Sequence, residues 1–230
     1  GEIWDNDSSE VLRWLGWRDL TCPNDIAKAL EAAGGDEVTV LVNSPGGDLF
    51  SGAEIRSMLR RYNGRTEALI QGYAASAATV AISACDVIRC ESGGLCCYHN
   101  PVSTAEGDYR DMSGASKSLK NARDTILDAY LARPVCKTTR EELAALMDKD
   151  IFITPTQAKE YGLIDEIVTL EGVTEPEGDP AAFVAAAGRI RLTAAMREQY
   201  RRHVAEDREA AARDCEAKRI LARLGTLAKY

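Results

Sequence analysis

Histidine is scarce in this chain. Only His99 and His203 occur in 230 residues, so chemistry that needs an imidazole base has two candidates. No C-x-x-C is present, and Cys96–Cys97 is the only close pair among seven cysteines. Without clustered ligands a metal site is not expected, and no cofactor motif stands out. The phosphate-cradling pattern G-x-x-x-x-G-K-S/T is missing, as is the G-x-S-x-G elbow of lipases and esterases. Basic charge is also short: 28 Lys and Arg against 36 Asp and Glu give a net of −8. That balance excludes a general nucleic-acid binder, which needs a basic surface. No run approaches the roughly 18–20 apolar residues of a membrane helix. The opening GEIWDNDSSE is acidic and polar, unlike a signal peptide. Several cysteines lie inside apolar runs and read as small reduced hydrophobes of a cytosolic protein.

What is present alternates between strand and helix patterns. EVTVLVNS, 37–44, is a β-rich run, and Leu49 to Leu59 carries apolar residues at helical spacing. RTEALIQG, 65–72, reads as a second strand and Ala75 to Ala84 as a short helix of small apolar residues. DVIRC, 86–90, and GLCCYHN, 94–100, read as further strands, and Asp111 to Leu131 as a long helix. TTREELAALM, 138–147, begins with a Thr cap, and Glu141 and Glu142 in its first turn suit the helix dipole. Thr156 to Tyr161 predicts a helix stopped by Gly162, followed by a strand over LIDEIVTL. The alternation predicts an α/β fold with its sheet covered by helices. EGVTEPEGDP, 171–180, with two prolines and two glycines, reads as a linker. It would divide a body over 1–170 from a helical appendage over 181–230. From Ala195 to Tyr230 the net charge is +3, against −11 for the residues before it.

Ser76, in GYAASAATVAISA, is a lone hydroxyl at the mouth of the small-residue helix. Taken alone it reads as a helix N-cap, and His99 in LCCYHNP as a structural histidine. His203 lies in a charged helical stretch and reads as a surface residue. NSPGGD, 43–48, changes this balance, because it follows a strand and precedes a helix. A Gly-Gly pair admits backbone conformations closed to other residues and lets a ligand approach closely. Acyl transfer needs backbone N–H groups aimed at a developing oxyanion. Gly47 supplies one candidate, and Ala77, the residue after the serine, supplies the other.

The order NSPGGD, GYAASAA, YHNP and DKDIFITPTQAKEYGLIDEI resembles the proteolytic subunit family of the Clp protease, over about Trp14 to Val168. The resemblance implies a ClpP/crotonase-like superhelix of repeated ββα units with a protruding handle helix, here 111–131. It implies a serine endopeptidase with Ser76 as nucleophile, His99 as base and Asp150 as acid. Gly46, Gly47 and Ala77 map to the oxyanion and substrate-binding backbone. Asp148 lies two residues from Asp150, and the sequence alone does not say which carboxylate reaches His99. This chain has Ala77-Ala78 where the family has a larger residue and then glycine. The resemblance further implies a homo-oligomer of stacked rings, polypeptide substrates held extended beside the strand after SPGG, and a Clp ATPase as possible partner.

Within the family, IWDNDSSEVLRWLGW, SPGGDLFSGAEI and HNP-x-x-x-AEGD-x-x-DM resemble head maturation proteases of phages and prophages. That would make scaffold or capsid precursors the substrates. The alternative is a bacterial Clp subunit of protein quality control. Two further classes compete. A crotonase-type acyl-CoA enzyme shares the superhelix and the paired backbone donors but typically lacks a Ser/His pair. A catalytically silent assembly protein would have no use for an intact Ser76, His99 and Asp150. The appendage reads as a solvated helix or as a docking helix carrying the Ile220, Leu221, Leu224 and Leu227 stripe.

Overall fold

A computed structural model describes residues 1–169, 198, 200–202 and 204–206. The sequence-predicted linker, His203 and the leucine stripe lie outside these residues. In chain order the elements are β1 (Glu2–Ile3), α1 (Asn6–Trp14), β2 (Leu20–Thr21), α2 (Pro23–Ala33), β3 (Val38–Ser44) and α3 (Leu49–Arg61). They continue with β4 (Thr66–Ala75), α4 (Ala77–Ile82), β5 (Val87–Glu91), β6 (Leu95–Cys97), α5 (Tyr109–Leu131), α6 (Arg140–Lys149), β7 (Phe152–Ile153), α7 (Pro155–Glu160) and β8 (Glu166–Val168).

Six of these strands form one sheet in the order β7-β6-β4-β5-β8, with β3 paired to β4. All pairings are parallel except β6 with β7. Strand β4 is central, and its apolar Ala68 and Ile70, on one face, are fully buried. Both β5 and β6 pair with β4, at different heights: Ile70 lies opposite Cys90, and Ala75 opposite Cys97. The C-terminal ends of β3, β4 and β6 therefore meet, where parallel α/β sheets build their sites.

Caps fix the helices. Asp48 accepts from the Ser51 N–H at 2.7 Å and starts α3. Thr139 and Glu142 form a reciprocal capping box on α6, and Thr154 and Gln157 form one on α7. Gly162, at φ 72°, follows the end of α7. Helix α2 carries similar signals that the sequence reading passed over: Pro23 at its start, Asp25 accepting from the Cys22 N–H, and Gly34 in the left-handed conformation after its end.

Several predicted boundaries move, and two of them bear on the site. Strand β4 runs three residues past Gly72, so Ala75 belongs to it and α4 begins at Ala77. Strand β6 stops at Cys97, because its partner β4 ends at Ala75 and β7 supplies only two residues. All six residues of α4 are buried. A Cβ on Gly52 of α3 would come within 2.7 Å of the Ala77 carbonyl oxygen. The two helices touch at backbone distance there, which explains the run of small side chains.

At the far end of α4 the buried Arg133 donates to the carbonyls of Ser83 (3.2 Å) and Cys85 (3.1 Å) and to Asp165 Oδ2 (2.5 Å). Asp165 also accepts from the Ile88 N–H at 2.7 Å. Arg133→Met is expected to cost about 3–5 kcal/mol by stranding Asp165 and two carbonyls. The urea-unfolding midpoint should fall with an unchanged slope; a midpoint at the wild-type value would contradict this.

The chain divides into two compact units, Gly1–Ser9 with Arg18–Gly188 and Glu10–Trp17 with Arg189–Tyr230. Within the second, the Tyr200 ring lies 6.0 Å from Trp14, and its hydroxyl donates to Glu10 at 2.9 Å. No described helix is long and apolar enough to cross a membrane.

Candidate active site

Ser76 leaves β4 with φ 55° and ψ −129°, one of two described non-glycine residues at positive φ. Such a conformation costs on the order of 1–3 kcal/mol and persists only where the surroundings over-determine it. Here they do. The Ser76 N–H donates to the Cys97 carbonyl at 3.1 Å. Its own carbonyl accepts from the N–H groups of Thr79 (3.0 Å) and Val80 (3.4 Å) and from the Thr79 hydroxyl (2.7 Å). Ser76 occupies the N-cap position of α4, as the sequence suggested, but its hydroxyl makes no capping bond. The backbone is bent to present a half-buried hydroxyl that the helix does not use.

The other positive-φ residue is Asp150, at φ 49° and ψ 50°, closing α6 in the left-handed region. Its Oδ1 lies 3.6 Å from His99 Nδ1, an ion-pair contact longer than a hydrogen bond. The imidazole is largely enclosed, with 10% of its side chain exposed, whereas the Asp150 carboxylate is 71% exposed. Asp148 is engaged elsewhere: it accepts from Asn100 Nδ2 at 2.8 Å and Arg123 Nη2 at 2.9 Å. Of the two carboxylates, Asp150 is the one beside His99. His99 lies two residues beyond Cys97, and Ser76 one residue beyond Ala75, the Cys97 partner. Both residues therefore leave the same end of adjacent strands.

The glycine loop closes against this end. Gly46 has φ 88°, and a Cβ there would lie 2.5 Å from the Ala75 carbonyl oxygen, 2.6 Å from Ser76 Cβ and 2.7 Å from the Ala77 nitrogen. Gly47, at φ 142°, bridges Ile3 of β1. The Ile3 N–H donates to the Gly46 carbonyl at 2.7 Å, and the Asp48 N–H donates to the Ile3 carbonyl at 2.8 Å. Both bonds use groups flanking Gly47, so its own N–H points to the opposite edge of the segment. The clamp by Ile3 was invisible in sequence, since two residues of β1 carry no periodicity. The segment after SPGG is α3, so no strand follows it, contrary to the expected peptide track. The extended backbone at this point is the Gly46–Gly47 segment itself.

Gly46→Ala is expected to lose about 2–4 kcal/mol of stability, because positive φ and backbone overlap combine. Any activity that depends on Ser76 should fall with it. Gly35 supplies the contrast: at φ 104° it has open space around a Cβ. Gly35→Ala should lower the melting temperature modestly and leave activity unchanged. Equal activity in the two variants would contradict the packing of Gly46 on Ser76.

One competing nucleophile sits nearby. Cys97 packs with Ala75, Leu95, Phe152 and Tyr73 in a small apolar cluster. Burial, and then the charge of Asp150, push its thiol up to about 12. It is therefore protonated at neutral pH and a poor nucleophile.

The family model described as Clp protease matches residues 25–171. The ATP-dependent Clp protease proteolytic subunit of Deinococcus radiodurans is 26% identical over 134 residues, covering 57% of this chain and 65% of that protein. The protein of that name from Mesostigma viride is 30% identical over 139 residues, covering 56% of each chain. The chloroplastic subunit 3 of Arabidopsis thaliana is 27% identical over 150 residues, covering 62% of this chain and 47% of its own length. The chain thus spans about half to two thirds of the length of these relatives. The family model covers more than half of the chain, including every residue of the site; the chain belongs to the Clp protease family.

Proposed function

We propose that the chain is a serine endopeptidase in which Ser76, His99 and Asp150 act as a triad. The observation that carries this reading is the His99–Asp150 pair beside a strained Ser76 whose hydroxyl has no structural duty. The Ser76 hydroxyl attacks the scissile carbonyl carbon while His99 Nε2 takes its proton. Asp150 at Nδ1 holds the tautomer and stabilises the imidazolium. Negative charge that develops on the carbonyl oxygen is received by the N–H groups of Gly47 and Ala77, the latter at the start of α4, with Gly46 setting the loop against Ser76. His99 then returns the proton to the leaving amine, which departs and leaves an acyl-serine. Water, deprotonated by the same imidazole, frees the acid product. The peptide lies extended against the Gly46–Gly47 segment through main-chain hydrogen bonds, which read side chains weakly.

Assembly belongs to the proposal. Val102 (59% exposed), just before α5, and Tyr109 (81%) and Met112 (40%), in its first turn, are exposed large apolar side chains, which supports pairing between rings of this chain. A Clp ATPase is the partner the family suggests. The appendage over 181–230 is proposed as a separate docking element beyond a 171–180 linker, and the cytosol as the compartment. The SPGGDLFSGAEI and HNP-x-x-x-AEGD stretches favour a phage or prophage protease that cuts capsid or scaffold precursors.

Rapid mixing with a short fluorogenic peptide ester tests the chemistry. A burst of one leaving group per active chain, followed by slower turnover, is expected of an acyl-enzyme. Linear release with no burst, or retention of a CoA thioester by the purified protein, would count against it.

A further inference from the structure

We propose that Tyr130 is a positioning residue for the nucleophile, acting through Thr79; this rests on the reading of Ser76 as the attacking group. Tyr130 lies in the last turn of α5 and is fully buried. Its hydroxyl is 2.7 Å from Thr79 Oγ1, and Thr79 Oγ1 is 2.7 Å from the Ser76 carbonyl oxygen. The direction of this chain follows from its end. A carbonyl oxygen only accepts, so the single Thr79 proton is committed to Ser76, and Tyr130 must be the donor to Thr79. The resulting order is Tyr130 to Thr79 to Ser76. Hydrogen bonds in such a chain polarise one another, which strengthens the grip on the Ser76 carbonyl.

That carbonyl helps to hold the serine in its positive-φ conformation, and with it the direction in which the hydroxyl is presented. The Tyr130 ring also meets the Tyr98 ring edge-on, with centroids 5.2 Å apart and planes at 84°. Tyr98 directly precedes His99. One side chain of α5 thus braces both the residue that presents the alcohol and the residue before the imidazole. Burial raises the Tyr130 phenol above its ordinary range, so it stays a donor at every working pH.

The test separates positioning from mere packing. In the full chain, kcat and KM are measured with a short aminomethylcoumarin peptide, normalised to sites titrated by a fluorophosphonate. Thr79→Val should lower kcat by about tenfold and Tyr130→Phe by about threefold, with KM within about twofold. Thr79→Val also strands the buried Tyr130 hydroxyl, so its melting temperature should drop. Adding Tyr130→Phe removes that stranded group, so the double variant should regain melting temperature while kcat stays at the Thr79→Val level. Thr79→Ser, which keeps the hydroxyl, should restore kcat. Recovery of kcat together with melting temperature in the double variant would overturn the proposal, as would wild-type kcat in both single variants. If Ser76→Ala still cleaves the peptide, the reading of the site fails instead, and this proposal falls with it.

Discussion

Ser76→Ala is expected to abolish peptide hydrolysis, lowering kcat by about 10⁴-fold or more, the scale seen when a triad nucleophile is removed. The fold should survive. The Ser76 hydroxyl makes no capping bond, and the backbone there is held by Cys97, Thr79 and Val80 through main-chain groups and the Thr79 hydroxyl. None of these contacts needs the serine side chain. Melting temperature should therefore shift by less than about 1 kcal/mol would cause, and the elution volume on a sizing column should match wild type. An inactive variant that had also lost its assembly would not isolate the nucleophile. An active variant with intact assembly would remove Ser76 from the chemistry altogether.

Asp150→Asn should lower kcat/KM by about 10²–10³-fold. The direction follows from the tautomer: an amide can present its N–H₂ to Nδ1 and favour the wrong imidazole form. The loss should be smaller than for a deeply buried triad aspartate, because the Asp150 carboxylate is 71% exposed and partly screened by water. Asparagine tolerates the left-handed backbone that Asp150 adopts, so the end of α6 should stay folded. Asp148→Asn is the paired control. It can still accept from Asn100 and Arg123, and it does not face His99. Its kcat/KM should stay within about threefold of wild type. If the two variants exchanged their effects, the pairing of His99 with Asp150 would be wrong.

How much of this was legible in sequence depends on which interactions are local. NSPGGD announced a loop that needs positive φ, and Gly46 and Gly47 both have it. The Thr cap of α6 was legible, while the Thr154–Gln157 box of α7, though equally local, lies before the expected start at Thr156. Ser76 was half legible: its place between a strand and a helix was visible, but a cap and a nucleophile look alike until φ is known. The sequence reading also ended β4 at Gly72. The strand continues because Tyr73, Ala74 and Ala75 find new partners in Leu95, Cys96 and Cys97, some twenty residues on. No local pattern encodes that exchange.

The choice between Asp148 and Asp150 was illegible for a related reason. The two residues differ only in the end of the α6 turn that each occupies, and their partners Arg123, Asn100 and His99 come from other elements. The grip of Ile3 on the glycine loop and the Tyr130–Thr79 bond span more than forty residues each. Such contacts are set by how α5 and β1 pack on the sheet. The Tyr130 hydroxyl gives no sign of its role in DAYLA, where an apolar helix face is the whole signal.

The central claim is that the Ser76 hydroxyl becomes a nucleophile because His99 removes its proton. Peptide mapping by mass spectrometry after treatment with a fluorophosphonate tests this most directly. The account predicts one adduct per chain, located on Ser76, and its disappearance in His99→Ala. An adduct on another residue, or undiminished Ser76 labelling in His99→Ala, would contradict it.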